Sequence, residues 1–412
     1  MSKLSGTNVS FGASVLDIDV EAKDGATAIN NAASIGATGN DVAVDGTTGG
    51  DIADPAVLPS LFVTHEVNDS IDVGFALHAP YGLAADYDDN FEGRYFADKT
   101  ELSVISFAPS ISASNGKGLS MGIGMNIMYA EGRLTKFVDN SAASYQASSG
   151  ASTSLFGDGY ADVEGDDVGV TFKVGFLYDF SEKTQAGLTF QTGTELELEG
   201  EGKFSNVATP GGVVNVTEDV RVPLNIPESA TFGLSHKLTD DITVLAGATY
   251  ARWSRFEELD VLSAEGDSGA FSQARGRTGD EPISHVTEQW ENTWQFNVGA
   301  IWQAAPEWQL KAGYAYDESP VGDYVTARIP SNDRHWLALG TQWKDAQNGW
   351  TVDASVGTLI FDGDAKVNEY NYDHDNPSEQ AELRPGVTDE SNYQGEYDLS
   401  AWSAALQVSK AF

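Results

Sequence analysis

The sequence predicts an all-β protein, a transmembrane antiparallel β-barrel of about 14 strands. Three observations support this fold class. Stretches that alternate apolar with small or polar residues recur along the whole chain. Short polar turns alternate with long polar loops, and the chain ends on an aromatic residue, Phe412. An aromatic terminus on an alternating last strand is typical of bacterial outer-membrane barrels.

The alternation is clearest where tryptophans bracket an apolar face. One face of such a stretch carries Trp294, Phe296, Val298, Ala300 and Trp302, and the other carries Gln295, Asn297, Gly299, Ile301 and Gln303. Aromatic residues at both ends of an apolar band are typical of membrane strands, which need only every second residue to face lipid.

Alternating runs of this kind place about 14 strands, an even number as expected of a bacterial barrel. Their predicted bounds are 7–20, 56–68, 70–86, 98–113, 117–138, 166–181, 184–204, 216–238, 241–262, 284–304, 307–320, 328–344, 349–369 and 397–412. Tight connections at 115–118, 181–183 and 239–241 alternate with long ones at 139–165, 262–283 and 370–396. This asymmetry indicates short periplasmic turns and long outer loops.

Composition excludes several function classes. The chain has no cysteine, which removes disulfides and thiolate sites. It has 23 Lys and Arg against 62 Asp and Glu, a formal charge of -39, which would repel nucleic acid. The acidity indicates solvated loops or, alternatively, divalent cations bridging loops such as 86–90 and 373–376 to anionic lipid headgroups.

The first residues carry no basic segment, apolar run or cleavage site of an export signal. The sequence from Met1 to Leu4 leads directly into the first predicted strand. We therefore expect that a signal peptide is missing from the chain as given.

Seven local motifs occur in order along the chain. One is His-Ala-Pro-Tyr-Gly-Leu at 78–83, followed by Asp-Tyr at 86–87, and another is Leu-Asn-Ile-Pro-Glu at 224–228. The others lie at 93–95, 122–130, 248–256, 313–321 and 329–334. Together they resemble the FadL-type family of outer-membrane long-chain fatty-acid transporters, which includes importers of aromatic hydrocarbons.

The resemblance implies one outer-membrane barrel domain over 1–412, with an N-terminal hatch that would precede Leu4 and be missing here. It implies passive uptake of hydrophobic small molecules, captured outside and released sideways into the membrane. We expect a monomer in contact with outer-membrane lipid and lipopolysaccharide, with no cofactor and no nucleic-acid partner.

Two places match functional positions of the family. Pro80, Tyr81, Gly82 and Leu83 interrupt the third strand, where the family has a lateral exit for the ligand; the alternative is an ordinary bulge near the rim. Lys136, next to Phe137, matches a basic residue that helps bind the ligand carboxylate. The alternative is a solvated or lipid-bridging lysine at the outer end of the fifth strand.

A second basic position of the family falls at 285–286, where this chain has His-Val instead of lysine. A histidine could replace the lysine only when protonated. Arg328 and Arg334 flank Pro330, and we expect them to form a charge network with nearby carboxylates.

No catalytic or metal site is predicted. Ser120 lies in a G-x-S-x-G pattern, but it opens a strand instead of the strand-turn-helix that a nucleophile requires. The six histidines show no metal-ligand spacing.

The expected function is uptake of long-chain fatty acids. An aromatic-hydrocarbon importer of the same family, a general porin and a structural or adhesive role remain alternatives.

Overall fold

The computed structural model describes residues 3–37, 39, 42–278, 281–374, 381–384 and 386–412. Met1, Ser2 and part of the acidic loop predicted at 373–376 lie outside this range. Most of the regular structure in these residues is β-strand, together with three short 3-10 turns and two short α-helices, α1 (Ser141–Ala147) and α2 (Ala270–Arg275). No helix in the described part is both long and apolar enough to cross a bilayer.

The strands are β1 (Thr7–Ala22), β2 (Thr27–Ala28), β3 (Ala56–Asn68), β4 (Ile71–Asp86), β5 (Lys99–Ser114), β6 (Leu119–Val138), β7 (Gly159–Asp179), β8 (Thr184–Gln191), β9 (Thr194–Thr209), β10 (Gly212–Ile226), β11 (Ser229–Lys237), β12 (Ile242–Ala251), β13 (Glu258–Ser263), β14 (Ser284–Thr287), β15 (Thr293–Ala305), β16 (Trp308–Asp317), β17 (Arg334–Asp345), β18 (Trp350–Phe361), β19 (Ala365–Tyr370) and β20 (Asn392–Ala411).

Within the described residues, 14 of these strands form a closed antiparallel barrel. Its order is β1, β3, β4, β5, β6, β7, β8, β11, β12, β15, β16, β17, β18 and β20. The ring closes because Phe11 of β1 pairs with Leu61 of β3 on one side and with Val408 of β20 on the other. The predicted all-β antiparallel barrel is confirmed.

The two faces of the barrel differ in polarity. Large apolar side chains such as Val298, Leu339 and Leu406 are exposed on the outer face. The alternating inner positions carry small and polar residues, and Asp353 there accepts hydrogen bonds from Lys311 (2.7 Å) and Gln342 (2.8 Å). Most inner positions of these strands are therefore small or polar, and large apolar side chains such as Leu245 and Trp336 are few among them.

Five predicted strands are each two elements in the structure, with interruptions at 192–193, 227–228, 252–257, 288–292 and 362–364. The strand partners change at the first four of these points, whereas β18 and β19 on the two sides of 362–364 both pair with β20. β8 pairs with β7 and β11 in the barrel, whereas β9 pairs with the first part of β7 and with β10. Apolar residues keep the same parity on both sides of 192–193, at Leu188 and Phe190 and then at Leu196 and Leu198, so the sequence pattern does not reveal that break.

Four of the strands beyond these breaks, β9, β10, β13 and β14, continue from β7 as an outer sheet. β7, β9, β10, β13 and β14 are linked in that order at the ends of the barrel strands remote from the short turns. Three other predicted strand starts, 166, 328 and 397, were wrong by several residues. β7 begins at Gly159, β17 at Arg334 and β20 at Asn392. The outer sheet and the loops around it enclose the candidate site.

Candidate functional site

The far end of β6 forms one wall of a cavity of about 690 Å³. Exposed apolar residues on β6 end at Tyr129, and Glu131 after it is exposed. Lys136 and Phe137 therefore lie beyond the membrane-facing band, and both line the cavity. The volume lies in the range of roughly 300–1,000 Å³ that is common for small-molecule sites.

The cavity wall is rich in basic residues. Among the residues that the structure describes, five of the chain's 23 Lys and Arg line it, together with two histidines and three acidic residues. The basic residues are Lys136, Arg275, Arg277, Arg328 and Arg384. In a chain of charge -39 this local excess of cations indicates a site for an anionic group.

Lys136 is the most distinctive of these cations. Among the described residues, no carboxylate oxygen lies within 4.0 Å of its Nζ. Burial, together with the positive charges of Arg328 and Arg384, lowers the pKa of Lys136 to about 7. A partly buried ammonium without an ion-pair partner is destabilising, and a ligand carboxylate would offset that cost.

The side chain of Phe137 points away from that of Lys136. Its ring packs edge-to-face on Tyr160 directly across the β6–β7 ladder, with centroids 5.1 Å apart. Its backbone N–H donates to the carbonyl of Arg94 at 3.0 Å. Neighbouring residues of a strand project to opposite faces, so Phe137 supports the cavity wall on the side away from Lys136.

Arg328 joins the loop after β16 to the barrel beneath the cavity. Its guanidinium donates to the carbonyl oxygens of Lys99 (3.2 Å) and Thr135 (2.9 Å) and to Oγ1 of Thr100 (2.8 Å). Arg334 donates to Asp317 Oδ2 at 2.8 Å. The expected charge network is present for Arg334, whereas Arg328 mainly satisfies backbone oxygens.

Two buried carboxyl groups lie near this arginine. Burial raises the pKa of Glu288 to about 8 and that of Glu369 to about 7. Glu288 accepts a hydrogen bond from Trp290 Nε1 (2.8 Å), and Glu369 accepts one from the backbone N–H of Ala327 (2.8 Å). The base of the site therefore holds groups that titrate near neutral pH.

Part of the cavity wall is apolar. It consists of buried side chains that belong to one large core cluster and that also line the cavity: Ala161, Val163, Phe204, Leu259, Val261, Phe271, Ile283 and Val286. Tyr81 of β4 packs against the same cluster. A cavity wall that combines cations with apolar surface suits an amphiphilic ligand.

A bulge interrupts β4 at the predicted position. His78 pairs with Ser106 of β5 and Tyr81 pairs with Val104, so Ala79 and Pro80 together lie opposite one residue. The extra residue reverses the alternation, which turns Tyr81 inward, where its hydroxyl lies 3.3 Å from Gln191 Nε2. The ring of Tyr81 also contacts Trp253 edge-on, with centroids 6.5 Å apart.

The barrel wall loses its hydrogen bonding at the same place. The β3–β4 ladder runs from Asn68↔Ile71 to Leu61↔Leu77 and stops there. Within the described residues, positions 56–60 of β3 pair only with β1, and positions 78–86 of β4 pair only with β5. Both edges carry a proline that cannot donate, Pro59 and Pro80. A gap between β3 and β4 follows.

The remaining predicted positions lie as follows. His285 lines the cavity, while the adjacent Val286 is buried in the core cluster. Ser120 is the second residue of β6, paired with Ser114 and Leu177, and no helix follows it. It is therefore a strand residue, not a nucleophile.

Sequence reasoning missed Arg275, Arg277 and Arg384. They lie in or beside α2 and in the loop before β20, far from Lys136 in sequence. The only available signal was the rarity of arginine in such acidic loops. Their convergence depends on the fold.

Comparisons with known proteins agree with this architecture. The family model described as "Outer membrane protein transport protein (OMPP1/FadL/TodX)" matches residues 1–412. A long-chain fatty acid transport protein of Escherichia coli O6:H1 is 25% identical over 325 residues, which cover 74% of this chain and 69% of that protein. Outer membrane protein P1 of Haemophilus influenzae is 26% identical over 312 residues, covering 71% and 64%.

Solved structures show the same fold. A crystal structure of a Pseudomonas aeruginosa FadL homologue superposes with a TM-score of 0.80 at 20% identity, covering 100% of this chain and 91% of that chain. The toluene transporter TodX of P. putida superposes with a TM-score of 0.67 at 17% identity, covering 99% and 90%.

Proposed function

Because the chain belongs to the outer-membrane transport protein family OMPP1/FadL/TodX, we propose that it takes up long-chain fatty acids and releases them sideways between β3 and β4. It is an outer-membrane transporter of hydrophobic molecules and not an enzyme. The observation that carries the fatty-acid assignment is Lys136, a partly buried cation with no carboxylate partner among the described residues, in a cavity whose wall is partly apolar.

The chemistry of the cavity favours an acid over a neutral hydrocarbon. A carboxylate at Lys136 would neutralise a buried charge, while the alkyl chain would lie on the core cluster. Toluene-like ligands carry no anion and would leave Lys136 unpaired. The binding position for a carboxylate at Lys136 therefore distinguishes fatty acids from aromatic hydrocarbons.

The route out follows the apolar cluster. Tyr81 contacts this cluster and stands at the bulge beside the gap between β3 and β4. A chain moving along the cluster reaches the gap without entering the polar lumen. Lateral release at Pro80, Tyr81, Gly82 and Leu83 is therefore part of the proposal.

The test compares an acid with a neutral analogue of the same chain length. Affinities for oleate and for oleyl alcohol are measured in detergent for the wild type, Lys136→Met and the control Lys366→Met. Lys366 is exposed on β19 and pairs loosely with Glu396 at 3.6 Å. Loss of one charged hydrogen bond, worth about 1.5–3 kcal/mol, should weaken oleate binding by about tenfold or more in Lys136→Met only. Equal losses for acid and alcohol would refute a carboxylate seat.

A further inference from the structure

The two short strands β13 and β14 bring two carboxylates and an imidazole onto one face of the outer sheet. Asp260 pairs with His285, and Glu258 pairs with Thr287. Alternate residues of a strand share a face, so Glu258, Asp260 and His285 project together. One donor atom from each of the three lies within 4.8 Å of the others.

These groups are withdrawn from solvent. Asp260 is 6% exposed, and the side chain of His285 is 12% exposed. Oε2 of Glu258 is buried and has no hydrogen-bond partner among the described residues. A buried carboxylate oxygen without a partner is destabilising, so this oxygen indicates an absent proton or cation.

We propose that Glu258, Asp260 and His285 form a binding site for a divalent transition-metal ion, best suited to Zn²⁺. One imidazole and two carboxylates form a three-ligand set of the kind that zinc accepts with a further position open. The imidazole favours zinc, copper or nickel over calcium and magnesium, which prefer oxygen ligands.

The hydrogen bonds of His285 fit this assignment. Nδ1 lies 2.6 Å from Oδ1 of Asp260, and Nε2 lies 2.9 Å from Oγ1 of Thr287. With Nε2–H donating to Thr287, Nδ1 presents its lone pair beside Asp260. A metal would replace the proton between these two atoms, and Thr287 would fix the tautomer, as partners of metal-bound histidines commonly do.

The site lies in the wall of the cavity that contains Lys136, because His285 lines that cavity. The open coordination position of a bound ion is then available to a ligand carboxylate. This last step rests on the proposed function, whereas metal binding itself does not.

Spacing along the chain does not predict this site. Asp260 and His285 are 25 residues apart and meet only through the β13–β14 pairing. The prediction of no metal site came from the absence of a local histidine motif. Strand pairing supplies a ligand set that such a motif cannot show.

The experiment is calorimetric titration of tag-free protein in detergent with ZnCl₂, in excess MgCl₂ to occupy oxygen-only sites on the acidic surface. We expect one zinc equivalent per chain, and at least about tenfold weaker binding in His285→Gln and in Glu258→Gln. The control is His335→Gln, since His335 Nε2 also bonds a carboxylate, Asp362, at 3.0 Å, and it should bind zinc as the wild type does.

Two results would overturn the site: no zinc uptake by the wild type in magnesium, or unchanged zinc affinity in both ligand variants. Thermal melts establish that each variant is folded, and the second ligand variant is decisive where the first does not fold. Oleate binding in EDTA is measured on the same samples. If Lys136→Met alone weakens it, the proposed function stands whatever the zinc result.

Discussion

Removal of the β4 bulge should close the barrel wall and stop uptake without abolishing ligand binding. The change is deletion of Ala79 combined with Pro80→Val. Without the extra residue, position 80 lies opposite Ile105, and Tyr81 keeps its pairing with Val104 and its inward direction. The edge of β4 then continues the β3 ladder past Leu61↔Leu77.

The number of hydrogen bonds gained determines how strongly the closed wall is stabilised. Positions 56–60 of β3 face the straightened segment, and an antiparallel ladder averages about one bond per pair, less the one that Pro59 cannot donate. About four bonds of 0.5–1.5 kcal/mol each stabilise the closed wall by roughly 2–6 kcal/mol. Even 2 kcal/mol lowers the population of an open wall about 30-fold.

The assay is uptake of radiolabelled oleate by a strain that lacks its own transporter of this family, with oleate affinity of the purified variant measured in parallel. Closure is checked by disulfide formation after Ser60→Cys and His78→Cys, since the chain contains no other cysteine. Unimpaired uptake by a variant that forms this disulfide would refute lateral release. Matched loss of uptake and affinity would show that the deletion damaged the cavity instead.

Three further predictions concern the charged base of the cavity. Oleate affinity should fall by up to about tenfold per pH unit above pH 7 as Lys136 deprotonates, and Lys136→Met should remove this dependence in a fluorescence titration. Arg328→Met should lower the melting temperature, because two buried carbonyl oxygens lose their hydrogen-bond donor, at a cost of about 1–3 kcal/mol each in the free energy of unfolding. An unchanged melting temperature would contradict this role. Burial raises the pKa of Glu288 from 4.5 to about 8, so the stability that its protonated form contributes is full below pH 4.5 and should fall as the pH rises from there to about 8. Glu288→Gln should flatten that part of the pH–stability curve, and it keeps an acceptor for Trp290 Nε1.

Alternation alone predicted the barrel, because each membrane strand must present apolar side chains to the lipid on one face. It could not predict where a strand leaves the barrel for the outer sheet, since β8 and β9 show the same alternation on both sides of 192–193. The bulge was predictable, because Pro80 cannot join a ladder and because the motif around it resembles a known family.

The charged cavity was only partly predictable. Lys136 was found through the resemblance, whereas Arg277 and Arg384 reach it from loops whose paths no local pattern determines. The pairing of Asp260 with His285 likewise depends on a register between two four- to six-residue strands. Tertiary packing determines which distant loop residues come together, and local patterns in a single sequence do not predict it.

The polar lumen has a consequence for the direction in which a ligand moves. Transfer of a hydrocarbon tail of about twelve methylenes from an apolar surface into water would cost roughly 10 kcal/mol of free energy. Side chains such as Asp353 and Lys311 offer such a tail no compensation, whereas the lipid outside the gap does. The inner face therefore disfavours movement of such a tail along the barrel axis, which supports the lateral release proposed above.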